Sequence, residues 1–189
     1  LAAPGAFVST DQVRAELVAN APQGVVAGQS IWLGLAIEHQ PHWHTYWKNP
    51  GDSGLPTTLQ WTLPAGAAAG DIQWPTPGRL PIGPLMNFGY EGTLLLPVPV
   101  TVAPGFKGDT LQVKLRADWL VCKDVCIPGG ADLTLEMPVV AASTAPDPKW
   151  KALFDAAYEA MPQGKVARAE ASTAGGMITL KLSGVKPTA

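Results

Sequence analysis

No stretch of this chain is basic enough to hold phosphates, and none is apolar for long enough to cross a membrane. Its 13 lysines and arginines are scattered among 15 acidic residues, giving a net charge of −2. A nucleic-acid surface needs such cations clustered, so a nucleic-acid partner is not expected. The longest apolar runs, such as residues 31–37 and 94–102, stop far short of the roughly 20 residues that a spanning helix needs. Cysteine is equally sparse. The chain has two, and without a third, disulfide scrambling within it is impossible. No serine sits in a nucleophile-elbow context, and the glycine-containing stretch at 65–71 lacks the Lys-Ser/Thr of a phosphate loop. Charge is low overall, at 15% of residues against 47% hydrophobic, so the chain can bury a core and is not a disordered tail.

Turn formers and alternation are what the sequence does have. The 20 glycines and 19 prolines in so apolar a chain predict many short strands joined by turns. Period-two patterning is plain in four places. Val13, Ala15 and Leu17 alternate with Arg14 and Glu16. Ile31, Leu33, Leu35 and Ile37 form a second inward set. Leu111, Val113, Leu115, Ala117 and Trp119 alternate with Gln112, Lys114, Arg116 and Asp118, and Leu133, Leu135 and Met137 form the last. Such alternation belongs to half-buried antiparallel strands. Pro97 and Pro99 cannot donate to a ladder, which places residues 94–102 at a sheet edge or across a bulge. The expected fold is all-β, an immunoglobulin-like antiparallel β-sandwich over residues 1–140.

After a linker at 141–148 the pattern changes. Asp147 reads as a helix N-cap with Pro148 in the first helical position, followed by Trp150, Leu153, Phe154, Ala157 and Met161 at helical spacing. Pro162 and Gly164 end the helix, and two strands follow around a Gly175-Gly176 turn. Residues 149–189 are too few for a comfortable core of their own. They are expected either to pack on the sandwich or to start a second, truncated β-rich subdomain, and the division adopted is the second.

Both cysteines fall in "DWLVCKDVCIPGG", residues 118–130. Four residues of extended strand span about 13 Å, whereas a disulfide needs its Cα atoms within roughly 4.4–6.8 Å. If Cys122 and Cys126 are bonded, the chain must double back at Lys123-Asp124-Val125. As a staple the bond is weak, because closing a loop of about five residues removes only about 2 kcal/mol of unfolded-state entropy, against roughly 4–5 kcal/mol for a loop of a hundred. A redox pair, a structural staple and a metal site all remain open on spacing alone.

Residues 38–57 hold all three histidines, His39, His42 and His44, beside Trp43, Tyr46 and Trp47. One reading packs the aromatics into the sandwich with the histidines at its rim. The alternative is a copper or zinc site that uses His42 and His44, expected on one strand face, with Cys122, Cys126 and Met86. Residues 82–92 read as a glycine-rich loop carrying Leu85, Met86, Phe88 and Tyr90. Large apolar groups on such a loop either tuck into the core or cover something reactive.

Three segments, "HWHTYWKNPGDSGLPT", "FGYEGTLLLPV" and "ADWLVCKDVCIPG", resemble in that order the N-terminal periplasmic domain of the DsbD-like membrane thiol:disulfide reductases, and most nearly the branch called suppressor of copper sensitivity protein B. The resemblance covers about residues 10–140, and the segment after 145 is similar to the start of that branch's second extracytoplasmic subdomain. It implies an immunoglobulin-like domain in the periplasm, belonging to an inner-membrane protein and needing no cofactor. Such a domain takes electrons from a transmembrane domain of the same protein and passes them to thioredoxin-fold partners by dithiol–disulfide exchange. It implies that Cys122 and Cys126 are the redox pair, Cys126 forming the mixed disulfide and Cys122 resolving it. The family's cap loop falls on residues 85–90, with Phe88 as the shield, Tyr90 beside it, and Leu85 and Met86 in the same loop. Three residues separate the cysteines here, fewer than in the DsbD branch. The copper-binding module and an interaction domain with a purely structural disulfide are the competing functions.

Overall fold

Among the described residues, thirteen strands and one helix follow each other: β1 (Phe7–Ser9), β2 (Val13–Ala19), β3 (Ser30–His39), β4 (His44–Gly51), β5 (Thr58–Thr62), β6 (Ala67–Ala69), β7 (Gly78–Ile82), β8 (Leu85–Glu91), β9 (Thr93–Val102), β10 (Thr110–Cys122), β11 (Cys126–Pro138), α1 (Pro148–Glu159), β12 (Arg168–Ala174) and β13 (Met177–Ser183). They are seen in a computed structural model that describes residues 5–162 and 168–184. One sheet has the order β1-β2-β3-β9-β6. The other has the order β11-β10-β4-β8-β7, with β5 paired to β10 as well. All pairings between named strands are antiparallel. The architecture is the immunoglobulin-like sandwich expected from the alternation.

The inward faces meet in one core. Val13, Ala15 and Leu17 of β2 and Leu33, Leu35 and Ile37 of β3 pack against Leu111, Val113, Leu115, Ala117, Trp119 and Val121 of β10, with Leu133 and Met137 from β11. Within each strand these residues are two apart, or four for Leu133 and Met137, so the pleat alone delivers them to one face. Ile31 and Leu135 lie at the margin, half-buried against the same cluster.

The prolines of β9 find a different solution from the edge expected for them. β9 lies between β3 and β6, and Pro97 and Pro99 stand opposite Gly34 and Trp32. β6 pairs only with residues 100–102, however. Beyond it, the carbonyls of Pro97 and Pro99 accept from the N–H groups of Gln73 and Gly70, both at 2.8 Å. A strand residue's N–H and C=O point the same way, so the missing proline donors face this irregular segment and the β3 ladder loses nothing.

Asp147 caps α1, accepting from the Lys149 N–H at 2.8 Å, and Pro148 occupies the first turn. The helix lays Phe154 and Ala157 on Val18, Ala36 and Leu95, the outward-facing residues of β2, β3 and β9. Trp32 and Tyr158 add an edge-to-face contact with ring centroids 5.1 Å apart. The helix therefore forms a third layer on the sandwich. β12 and β13 pair with each other as a separate hairpin whose residues are all exposed. Gly164, expected to help end the helix, and the first residues of the following strand lie outside the described residues.

Candidate functional site

The longest hairpin of the protein ends at the cysteines. β10 and β11 run in continuous register from Thr110↔Pro138 to Cys122↔Cys126, and the chain reverses through Lys123, Asp124 and Val125. The Lys123 N–H donates to the Val125 carbonyl at 3.1 Å and tightens the turn. Cys122 and Cys126 are disulfide-bonded, with Cα atoms 4.1 Å apart. That is the close spacing of a directly opposed, non-hydrogen-bonded cross-strand pair, where facing side chains stand nearest.

The two cysteines differ sharply in exposure. Cys122 is 1% exposed, while Cys126 is exposed. The sheet order explains this. β11 is an edge strand, so Cys126 has open space on its outer side. β10 is internal, and Cys122 is flanked on its other side by His44, the first residue of β4. His44 in turn opposes Glu91 of β8. Cys122, His44 and Glu91 thus share one rung of the sheet and one of its faces.

His44 and Tyr46, two apart on β4, stand on that same face, and both are buried. His44 Nε2 lies 3.3 Å from the Tyr46 hydroxyl, with the rings edge to face. Burial pushes the His44 imidazole below its ordinary pKa, against a smaller upward pull from the Glu91 carboxylate. Burial likewise pushes the Tyr46 phenol up. The chain returns over Tyr46 after β4. A Cβ on Gly54 would come within 2.4 Å of the ring, and Pro56 forms a bridge to Tyr46. Leu55, 64% exposed, then lines an apolar groove with Pro56, Trp119, Leu120 and Pro128, two residues from the disulfide along the hairpin.

The histidines do not form the expected pair. His42 occupies the third position of a turn closed by the Trp43 N–H on the Gln40 carbonyl (3.0 Å), with Pro41 before it and φ of 70°. A type II turn demands that left-handed value at this position, which takes His42 off the strand. His39 is buried, with Nδ1 2.7 Å from the Gly92 carbonyl and Nε2 3.0 Å from Thr45 Oγ1. Desolvation is the main cause that lowers its pKa, with Gly92 and Glu91 pulling up and His44 pushing down. Among the described residues no group of three or more His, Cys, Asp and Glu side chains is placed to hold a metal ion.

The segment expected as a cap loop is a strand. β8 pairs with β7 from Gly78↔Gly89 to Ile82↔Leu85, and Gly83-Pro84 make the turn. Tyr90 belongs to the core and donates its hydroxyl to the Pro75 carbonyl at 2.7 Å. Alternation from Glu91 puts Gly89 and Asn87 on the face of Cys122, and Phe88 with Tyr90 on the opposite face. Leu85 and Met86, 39% and 38% exposed, sit at the hairpin tip. Six residues of strand, about 20 Å if straight, separate Leu85 from the rung that holds Cys122. Asp52 and Ser53 hold this hairpin in place. The Met86 N–H donates to the Asp52 carboxylate at 2.8 Å, and the Ser53 N–H and hydroxyl donate to Asn87 Oδ1 at 2.9 and 3.1 Å. What the sequence reading missed is the neighbour of Cys122 itself: His44, with Tyr46 on the same face. The spacing of His44 and Tyr46 shows that they share a face, but nothing local shows which strand lies beside them.

Residues 12–138 match the family model described as the N-terminal region of thiol:disulfide interchange protein DsbD. This chain belongs to that family. The match takes in both cysteines and all of β2 through β11. In fold, this DsbD N-terminal domain is similar to the N-terminal periplasmic domain of ScsB from Proteus mirabilis, with a TM-score of 0.62 and 18% identity, over 93% of this chain and 67% of that one. The GAE domain of yeast GGA1 overlaps 70% of this chain and 96% of its own, at 10% identity and a TM-score of 0.38, too low to carry an argument. A search of the curated proteins finds no match. Family membership and the bonded cysteine pair together make this a thiol–disulfide exchange domain. No helix among the described residues is long and apolar enough to cross a membrane.

Proposed function

We propose that this domain works in the periplasm as an electron relay, taking electrons from a transmembrane reductase domain of its own full-length protein and passing them to thioredoxin-fold proteins. The carrying observation is the asymmetry of one cross-strand disulfide, exposed at Cys126 and buried at Cys122. Exchange proceeds by in-line attack of a thiolate on a disulfide sulfur, through a mixed disulfide. Only Cys126 offers an approach to a bulky partner. In the reduced domain, the Cys126 thiolate attacks a partner disulfide and bonds one of its sulfurs, and the partner's other sulfur leaves as a thiolate. Cys122 then attacks the Cys126 sulfur, restores the internal disulfide and releases the partner's second thiol, so two electrons have moved. A short loop suits this chemistry because the two sulfurs stay adjacent whether bonded or not.

We assign the cover over the buried sulfur, carried over from the family to Phe88, to His44 and Tyr46; their place on the face of Cys122 supports this, as does the close approach of Gly54 and Pro56 to Tyr46. In this reading the second subdomain, expected over 149–189, begins only after α1, and the packing of the helix on the sandwich supports that boundary.

The test is trapping with a thioredoxin-fold protein. Cys122→Ser is expected to accumulate a mixed disulfide through Cys126, and Cys126→Ser to form none. A reduced wild-type domain that forms no mixed disulfide with any such partner would return the pair to a structural role.

A further inference from the structure

The buried half of the disulfide has a chemical problem that the exposed half does not. Cys126 faces water, which can take or supply a proton. Cys122 is 1% exposed, and its sulfur must lose a proton to attack and regain one after leaving. Burial in apolar surroundings stabilises the neutral thiol and slows that attack. A group on the protein must handle the proton, and the sheet places one beside it. His44 is the residue directly opposite Cys122 on β4, and opposed residues carry their side chains on one face with Cβ atoms about 4.5–5.5 Å apart.

Resting on the relay reading above, we propose that His44 is the general base and acid for Cys122, and that Tyr46 positions its ring. Nε2 engages the Tyr46 oxygen at 3.3 Å. With the proton on Nε2 and donated to that oxygen, Nδ1 is left with a lone pair for Cys122. During resolution Nδ1 takes the Cys122 thiol proton as its sulfur bonds Cys126 and the Cys126–partner bond breaks. The imidazolium then gives the proton to the departing partner thiolate or to water. In the reverse direction the proton returns from His44 to Cys122 as the internal disulfide opens. The charged and titratable neighbours are few. Glu91 faces His44 from β8 and favours the imidazolium, His39 lies nearby on β3, and Lys123 and Asp124 are exposed in the turn beyond. The downward pull of burial keeps His44 neutral near pH 7, the form a base requires.

The fully reduced chain and an aromatic disulfide probe, dithiobis-nitrobenzoate, test this without a protein partner. Attack by Cys126 releases one chromophore and leaves the other half bound, and attack by Cys122 releases the second. His44→Gln is expected to leave the first release nearly unchanged, to slow the second by about 100-fold, and to abolish its inflection below pH 7. A folded His44→Gln protein with a normal second release overturns the proposal. If that variant does not fold, two measurements decide. The wild-type second release must show an inflection below the thiol range, and Tyr46→Phe must slow that release while sparing the first; the absence of either overturns the assignment. A chain that gives both releases with the probe but traps no thioredoxin-fold protein refutes the relay reading while leaving the His44 result legible.

Discussion

Two hairpins flank β4 in the same sheet. β10 and β11 are each 13 residues long and fully paired, whereas β7 and β8 have 5 and 7. The first hairpin buries a whole face of β10 from Leu111 to Val121 and ends in a covalent bond. The second ends in an unbridged turn with Leu85 and Met86 exposed, and Asp52 and Ser53 tie it to the sheet alongside its ladder. The difference is one of duty. Thiol exchange needs the attacked sulfur at a fixed angle, and a long hairpin anchored in the core holds it there. An apolar tip on a short edge hairpin is under no such constraint, and local stability is expected to be lower there.

Substitutions that attack one hairpin and spare the other sharpen this contrast. The largest effect is expected at Gly129, which faces Trp119 across the β10–β11 ladder. A Cβ there would lie 2.5 Å from the indole Nε1 and 3.0 Å from Cε2. Gly129→Ala should therefore cost about 1–3 kcal/mol in denaturant unfolding, since the buried Trp119 has little room to retreat. An unchanged midpoint would mean that this arm is looser than its burial implies. Asp52→Ala comes next. It removes an exposed charge-assisted acceptor from the Met86 N–H and should cost only about 0.5–1 kcal/mol globally. Amide exchange in β7–β8 should rise by more than that in β10–β11, and equal change in both would erase the distinction.

The smallest effect is the response to pH. His39 and His44 both have lowered pKa values in the fold, so the unfolded chain binds protons first as pH falls. Their contribution is fully present above the unfolded value of about 6.5 and is lost as pH drops through it toward the folded values. The melting temperature is expected to fall between pH 7.5 and pH 5.5, and less so in His39→Gln. A flat profile across that window would contradict the burial of both imidazoles.

Much of the sandwich is legible in the sequence. The inward sets on β2, β3, β10 and β11 were visible because a strand buried on one face must alternate. Asp147 and Pro148 announced α1 because a helix start has few chemical solutions. The reading failed where it depended on neighbours in space. Residues 82–92 looked like a loop because of their glycines, yet Gly89 is where two backbones approach closely. A Cβ there would meet the Thr45 carbonyl at 2.1 Å, so the glycine serves a strand. His42 and His44 looked like a pair because they are two apart, but that rule holds only inside a strand, and the turn at Gln40–Trp43 lies between.

The amino-acid sequence by itself determined that the chain would build an all-β core and that its two cysteines would meet only if the chain reversed between them. Both follow from local rules, the period of a pleat and the reach of a disulfide. Tertiary structure alone decided which sulfur faces water and which side chain stands beside the other. Those depend on β11 lying at the sheet edge and on β4 arriving next to β10, where His44 meets Cys122 across 78 residues of chain. No short-range pattern encodes that meeting, because strand order is set by how the two faces of the sandwich close over one shared core.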